Sequence, residues 1–267
     1  MKKWLEKVDW IYVIVPLALL GTFWVIAAFT GQWPWQSNPY NSYALQTDSW
    51  LKGRLDLGQD YPWLELAIYQ GKYFVSFPPF PSYVLIPFVM IFGTNTPDHL
   101  IALLVTIAGC VYAIKLYREV SLEKQHALFW VLMLYFASGY LFVGMNGYVW
   151  FIAQSMSFTL SLMALYYAMR QKGGLSLAFW ACAVGCRPML ALYGILLVYL
   201  LVKGYKKENP KGTVWQLVNG TGRLAVVRLQ FRIWRLIMPA SAISRNLDII
   251  ICRSLRELRL VSLIFLI

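Results

Sequence analysis

Long apolar stretches, repeated along the chain, limit its possible folds more than any other feature of the sequence. Residues 8–30 form the first stretch, and residues 99–117, 127–145 and 149–169 form three more. A helix needs about 20 mainly apolar residues to cross a bilayer, and each stretch is close to that length. The sequence therefore predicts an all-α integral membrane protein, a multi-pass helical bundle with about four full spans.

The composition agrees with a membrane protein and excludes several other classes. Only 13% of the residues are charged and 59% are hydrophobic, whereas soluble domains usually have about 25% and 45–50%. These values exclude a disordered chain, a collagen and a disulfide scaffold. We assign the net charge of +12 to basic loops and a basic tail, and we expect no nucleic-acid partner.

Basic residues in the connections predict how the chain crosses the membrane. Three lysines precede the first stretch, Arg118 follows the second, and Arg170 follows the fourth. Because lysine and arginine are enriched on the cytoplasmic side, we expect a cytoplasmic N-terminus and a large outer loop over residues 31–98. The predicted location is the cell membrane, with the first stretch retained as an anchor.

Two further apolar segments are too short for simple crossings. Residues 82–92 contain Pro87 and predict an interfacial or re-entrant helix. Residues 175–202 lie between two basic connections, so both ends are expected on the same side. Two full spans need about 40 residues, and this segment is shorter. We therefore predict a broken hairpin of two short helices, with Arg187 at its apex within the membrane or near its outer interface.

The outer loop has the pattern of an amphipathic surface helix. Asn38 is a residue type that caps helices, Pro39 suits a first helical position, and Gly53 can end the helix. The face predicted to be apolar carries Tyr40, Tyr43, Ala44, Thr47, Trp50 and Leu51. The opposite predicted face carries Asn41, Gln46, Asp48, Ser49 and Lys52. Residues 66–75, with Gln70-Gly71 at their centre, predict a β-hairpin later in the loop.

The order of these features resembles a known family of membrane enzymes. The chain begins with a basic inner end and one span, followed by a Tyr-x(9)-Gly helix from Tyr43 to Gly53. The Pro78-Pro79 element comes next, before a short apolar helix and Gly93. A small-residue segment that ends in a cation, at residues 183–187, is the last of these features. Together they resemble the GT-C fold of glycosyltransferases that use polyprenyl-phosphate-linked sugars. The run from Gly71 to Pro79 resembles one bacterial branch, which implies a bacterial cytoplasmic membrane. The resemblance covers residues 1–207.

The resemblance implies transfer of a sugar from a polyprenyl-phosphate carrier at the outer face of the membrane. The implied partners are membrane lipid and the polyprenyl-phosphate-linked sugar. This chemistry needs a carboxylate that deprotonates the acceptor hydroxyl and a cation that holds the phosphate leaving group. The family usually has an acidic residue a few positions before its tyrosine, but Pro39, Tyr40 and Asn41 occupy that region here.

Four carboxylates of the predicted outer loop are candidates for the catalytic base. Asp48 is the first candidate, because it lies on the predicted amphipathic helix near the bilayer. The other outer carboxylates are Asp56, Asp60 and Glu65. Each of these side chains is also a common type of loop acid or helix cap, so position alone does not make any of them catalytic.

The cation most suited to a lipid phosphate is Arg187. A charge within the membrane is costly, and its presence there indicates a functional site. Pro188 can begin a helix, so backbone amides and the positive end of a helix dipole are expected near the same place. The weaker candidates for phosphate binding are Lys52, Arg54 and Lys72.

Histidine and cysteine residues do not predict a metal site. The four cysteines lie in apolar surroundings, and only His99 and His126 could assist them. No cofactor is indicated, and a need for a divalent metal stays open.

The alternative function is a non-enzymatic transporter, flippase or membrane assembly subunit. Transporters also contain half-helices like those predicted for residues 175–202. The large amphipathic outer loop favours the enzyme over this alternative.

The residue usage changes abruptly near residue 213. Residues 214–267 contain eight arginines, no lysine and no tyrosine, whereas residues 1–213 contain every lysine and all 17 tyrosines. One interpretation is a basic amphipathic helix with Arg228, Arg232 and Arg235 that binds anionic lipid. The interpretation that we favour is a change of reading frame after a GT-C-like N-terminal region at residues 1–213, which predicts a truncated and inactive product.

Overall fold

The computed structural model describes residues 9–120 and 124–210 of the chain. These residues are mainly helical, in agreement with the predicted fold class. The helices are α1 (Ile11–Thr30), α2 (Ser42–Leu51), α3 (Phe80–Phe92), α4 (Asp98–Val120), α5 (Lys124–Phe136), α6 (Tyr140–Met145), α7 (Val149–Met169), α8 (Gly173–Cys186) and α9 (Tyr193–Glu208). Short 3-10 turns cover Gly93–Asn95 and Pro188–Ala191. The predictions for residues 214–267 lie outside the described residues.

Four segments of the described residues are long and apolar enough to cross a membrane. They are Ile11–Thr30, Asp98–Val120, Val149–Met169 and Pro188–Lys207. The first three correspond to the stretches predicted at residues 8–30, 99–117 and 149–169. The fourth is new, because the sequence pattern predicted a short helix there.

The predicted span at residues 127–145 is wrong as a single helix. The chain forms α5 and α6 instead, with a break around Ser138 and Gly139. The Ser138 hydroxyl donates to the Leu134 carbonyl and accepts from the Tyr140 backbone N–H at 3.1 Å. A serine hydroxyl competes with the backbone for hydrogen bonds and glycine is a poor helix former, so the helix ends at this point.

Over residues 175–202 the chain forms two helices joined at Arg187, as predicted, but the second helix is longer than predicted. Helix α8 is short, with 14 residues. The second arm is not short, because Pro188–Lys207 has the length of a span. Its extra length comes from Lys203, Lys206 and Lys207, which continue the helix. Lysine is a good helix former and is favoured near a helix C-terminus.

Charged residues that flank the described spans lie together at one end of the bundle. Helices α1 and α4 are antiparallel, since Phe23 packs near Leu103 at one end and Asp9 pairs with Arg118 at the other. Arg170, just after α7, pairs with Glu119 at 2.7 Å. We call this the charged end, and we call the opposite end, which carries residues 31–98, the loop end. The threading agrees with the predicted alternation of basic connections.

Helix α2 begins later than predicted and is more deeply buried. It starts at Ser42, and Asn38 instead accepts a hydrogen bond from the Tyr40 backbone N–H at 2.8 Å. The predicted division into two faces is partly wrong: Gln46 is buried, whereas Leu51 is 49% exposed. Helix α2 packs against α3, and some polar residues of α2 are therefore buried between the two helices. The buried polar groups are satisfied there, as Ser82 donates to the Gln46 side chain at 2.6 Å.

The predicted β-hairpin is present in the loop. Strand β1 (Leu66–Tyr69) pairs with β2 (Lys72–Val75) in antiparallel register. Gln70 and Gly71 both have positive φ, at 50° and 71°. Two positive φ angles define the tight turn whose twist matches two antiparallel strands, and glycine adopts the second angle without strain. Helix α3 follows this hairpin and has 13 residues with Pro87 inside, too few for a span.

Candidate functional site

Arg187 lies where α8 ends, at the loop end of the bundle. Pro188 disfavours the helical conformation at the preceding residue, and Arg187 is accordingly extended, with φ −142° and ψ 104°. Its guanidinium donates from Nη2 to the Trp150 carbonyl at 2.7 Å. Its Nε is buried and has no partner among the described residues. A buried guanidinium N–H without an acceptor is costly, so this nitrogen is suited to a ligand oxygen or a water.

Trp150 connects Arg187 with a carboxylate of the loop. The Trp150 indole Nε1 donates to Glu65 Oε2 at 3.4 Å, at the long end of the hydrogen-bond range. Glu65 directly precedes β1, and its carbonyl accepts from the Ser76 hydroxyl at 2.9 Å. The hairpin therefore fixes the backbone of Glu65 beside α7. A cation and a carboxylate thus contact one tryptophan without forming a direct ion pair, which leaves both charges available to a ligand.

Aromatic rings line the same region. The Trp150 ring lies 5.8 Å from the Tyr40 ring and 6.4 Å from the Phe77 ring, measured between centroids. Phe77 also contacts Tyr43, with centroids 6.4 Å apart. These rings give the site apolar walls around its two charged groups. Such a combination of apolar walls with a few polar groups is typical of ligand sites.

Tyr43 is a second buried donor close to Arg187. Its side chain is 2% exposed, and its hydroxyl has no partner among the described residues. Burial raises the pKa of the Tyr43 hydroxyl, Cys186 adds to this effect, and the nearby Arg187 charge opposes it. The hydroxyl therefore stays protonated and can donate a hydrogen bond at physiological pH.

The other predicted site residues do not join this cluster. Asp48 pairs with Lys52 at 2.7 Å along α2, an ordinary pair four residues apart. Lys72 faces Asp56 at 3.8 Å. No described hydrogen bond or ion pair joins any of these residues to Arg187. The structure thus brings Arg187 together with Glu65 and Tyr43, while the role predicted for Asp48 stays a prediction.

Arg54, the last of the predicted phosphate-binding residues, packs inside the loop. Its guanidinium occupies the space beside Gly58 where a side chain would otherwise extend. Gly58 has φ +78°, so glycine suits this turn both by conformation and by space. The Arg54 side chain therefore covers a neighbouring turn of the loop.

A buried polar network, which the sequence did not predict, holds the start of the loop to the helices. The Asn38 side chain donates to Asp98 Oδ2 at 2.9 Å and to the Gly147 carbonyl at 3.0 Å. The Gly147 backbone N–H approaches His99 Nδ1 at 3.3 Å. Asp98 is only 2% exposed. The network fixes Asn38, and thereby places Tyr40 beside the ring of Trp150.

Gly147→Ala should destabilise the protein through this network. A Cβ at residue 147 would lie 2.5 Å from the Asp98 carbonyl carbon and 2.6 Å from the His99 nitrogen. Backbone atoms must shift to relieve such contacts, and overpacking usually costs about 1–3 kcal/mol. We expect a lower thermal midpoint in detergent. Gly139→Ala is the control, since its Cβ meets nothing within 4 Å; equal stability of the two variants would contradict the prediction.

A cavity of about 470 Å³ lies beside the cluster at the loop end. Its walls are mainly apolar side chains of α1 and α6. Tyr148 forms part of its lining and accepts a hydrogen bond from Gln32 at 2.9 Å. The Tyr148 ring also lies 5.5 Å from the Tyr40 ring. One layer of aromatic residues therefore separates this cavity from the surroundings of Trp150 and Arg187.

The described residues contain no group of three or more histidine, cysteine, aspartate or glutamate side chains that could hold a metal ion. Comparisons of the chain with family models, curated proteins and solved structures find no match. The chemical character of the site therefore rests on its own residues.

Proposed function

We propose that this chain is a membrane glycosyltransferase-like protein that acts on a polyprenyl-phosphate-linked sugar. The observation that carries the proposal is the Nε of Arg187, which lies at the break between two apolar helices and is buried without a partner among the described residues. A lipid phosphate at the membrane boundary would supply the missing acceptor. The resemblance of residues 1–207 to the GT-C family supports the same substrate class.

The proposed orientation places the loop end outside the cell and the charged end in the cytoplasm. Arg118, Arg170 and the lysines near the end of α9 support it, since basic residues favour the cytoplasmic side. The sugar carrier would then meet Arg187 at the outer boundary of the cell membrane.

Labelling of single cysteines tests this orientation. Gln70→Cys, at the exposed hairpin turn, should react with an impermeant maleimide in intact cells, in a variant that lacks the native cysteines. Lys203→Cys, at the exposed charged end, should react only after permeabilisation. The reverse pattern would contradict the orientation. Reaction of both residues in intact cells would contradict the return path of α8 and α9.

The proposed reaction divides its tasks between the two charged groups. The acceptor oxygen forms a bond with the anomeric carbon of the sugar, and the bond from that carbon to the phosphate oxygen breaks. The electron pair leaves with the phosphate, where Arg187 and the Tyr43 hydroxyl stabilise the negative charge. The acceptor proton passes to a carboxylate. Glu65 is the carboxylate that contacts the Arg187 partner Trp150, and Asp48 is the candidate predicted from the sequence.

The cavity beside Tyr148 supports a lipid substrate. Its volume lies within the range of about 300–1,000 Å³ typical of ligand pockets, and apolar walls suit hydrocarbon. We propose that part of the lipid chain lies there while the phosphate reaches Arg187 past the Tyr40 and Tyr148 rings.

A comparison of two lipids tests the proposal directly. Polyprenyl phosphate should bind the chain in nanodiscs, and the uncharged polyprenol should bind at least tenfold more weakly, because it lacks the anion that Arg187 would hold. Equal binding of the two lipids would overturn phosphate recognition.

The break between α8 and Pro188–Ala191 also suits a transporter or flippase. The intact-frame protein is the product expected if the reading frame did not change near residue 213. That alternative would be favoured if this protein flipped polyprenyl phosphate in proteoliposomes but transferred no sugar.

A further inference from the structure

A second set of cations and aromatic rings lies at the charged end, far from Arg187. The Lys115 ammonium is 4.6 Å from the centroid of the Tyr112 ring and 5.9 Å from that of the Tyr166 ring. The two rings contact each other edge to face, with centroids 5.7 Å apart. Tyr112 is also joined to Tyr167 by a hydroxyl–hydroxyl contact of 3.0 Å. Two tyrosine rings, one on α4 and one on α7, thus face the lysine, and Tyr167 contacts the first of them.

Lys115 differs from Arg118 and Arg170, the two arginines nearest to it at the charged end, in having no carboxylate partner among the described residues. Arg118 pairs with Asp9, and Arg170 pairs with Glu119. Among the described residues, the Lys115 ammonium has neither a carboxylate partner nor a hydrogen-bond acceptor. Aromatic faces attract an ammonium, but they leave its N–H groups without strong acceptors. Within the described residues, the site therefore carries a positive charge that has no paired carboxylate.

The position of Lys115 along α4 indicates which anion is available to it. The residue lies in the last turns of Asp98–Val120, a helix with the length and hydropathy of a membrane span. Tyrosine and basic residues at such a depth lie near the head groups of the bilayer. Basic pockets between transmembrane helices on the cytoplasmic side bind anionic lipid head groups.

We propose that Lys115, with Tyr112 and Tyr166, binds the phosphate of an anionic phospholipid. The lipid phosphate accepts hydrogen bonds from the ammonium, and the two rings limit the positions that the ammonium can adopt. The nearby Arg170, 6.0 Å from the Tyr166 centroid, adds positive potential but keeps its carboxylate partner. The lipid anchors the α4–α7 contact at the charged end. This site is independent of the proposed sugar transfer, since it lies at the opposite end of the bundle from Arg187.

Native mass spectrometry of the full chain, released from phosphatidylcholine nanodiscs with and without phosphatidylglycerol, tests the site. The wild-type protein should retain phosphatidylglycerol in preference to phosphatidylcholine. Lys115→Gln should weaken phosphatidylglycerol binding by about three- to tenfold, the effect of one lysine near an anionic surface. Lys115→Arg should keep most of the binding, because it keeps the positive charge.

Lys203→Gln is the matched control at the same end. Lys203 also faces one tyrosine ring, that of Tyr199 at 5.8 Å, but both side chains are exposed. Its loss should leave phosphatidylglycerol retention nearly unchanged. Equal losses in Lys115→Gln and Lys203→Gln would overturn the site in favour of general surface attraction. Unchanged retention in Lys115→Gln would also overturn it, and full competition by inorganic phosphate would identify a free-anion site instead of a lipid site.

Discussion

Arg187→Ala is expected to weaken binding of polyprenyl phosphate by about ten- to hundredfold. Loss of one charge-assisted hydrogen bond to phosphate costs about 1.5–3 kcal/mol, and 1.4 kcal/mol corresponds to a factor of ten. The substitution removes both the charge and the Nε, which has no partner in the described part of the chain. Titration of polyprenyl phosphate into the protein in nanodiscs measures the effect.

Two further variants make this result specific. Arg187→Lys should recover only part of the affinity, because a point charge replaces a planar group that can donate two parallel bonds. Lys52→Ala is the control, since Lys52 is a loop cation paired with Asp48; we expect its affinity to stay within about twofold of the wild type, as surface pairs contribute little. If Arg187→Ala keeps wild-type affinity while remaining folded, Arg187 serves only to join α8 to Trp150.

The sequence predicts the elements that depend on local patterns. The three apolar stretches that became α1, α4 and α7 have enough length to be recognised without any knowledge of their neighbours. The hairpin at Gln70-Gly71 was also predicted, because a two-residue turn with glycine is encoded by adjacent positions. The charges at Arg118 and Arg170 also predict that these two connections lie on one side, and the structure places both at the charged end.

The errors arise where particular hydrogen bonds, some local and some distant in sequence, override the hydropathy pattern. Hydropathy across residues 127–145 is continuous, but Ser138 bonds to the backbone and ends the helix. The pattern predicts the wrong face of α2 for Gln46, because this side chain gains a partner from Ser82 on α3 and no local pattern encodes that contact. The amphipathic pattern assumed a single buried side, whereas α2 also contributes to a core with α7.

The candidate site also combines a residue that the local sequence predicts with one whose position depends on the fold. Arg187 was predicted because an arginine before a proline, inside an apolar segment, is unusual on its own. Glu65 appeared only as one of four loop acids, since its position beside Trp150 depends on the hairpin folding against α7. The sequence indicates a role for Glu65 only through its position directly before β1. That indication is weaker than the one for Asp48, which lies on a predicted amphipathic helix.

Glu65→Gln is expected to abolish most sugar transfer by the intact-frame protein while leaving lipid binding unchanged. Glutamine keeps the shape and can still accept from the Trp150 indole, but it cannot take a proton. Loss of a general base typically lowers turnover by about 10²–10⁴-fold. The measurement is the rate of transfer from a polyprenyl-phosphate-linked sugar in nanodiscs, compared with the binding titration on the same sample.

Asp48→Asn provides the matched comparison, because it changes the other candidate in the same way. If Glu65 is the base, Asp48→Asn should lose only its pair with Lys52 and keep transfer within about threefold, since such pairs four residues apart on a helix are worth about 0.3–0.5 kcal/mol. Full transfer by Glu65→Gln together with none by Asp48→Asn would assign the base to Asp48, as the sequence predicted. Full transfer by both variants would exclude the two carboxylates. An unequal result therefore identifies which of the two acids, the one beside Trp150 or the one on α2, accepts the proton from the acceptor hydroxyl.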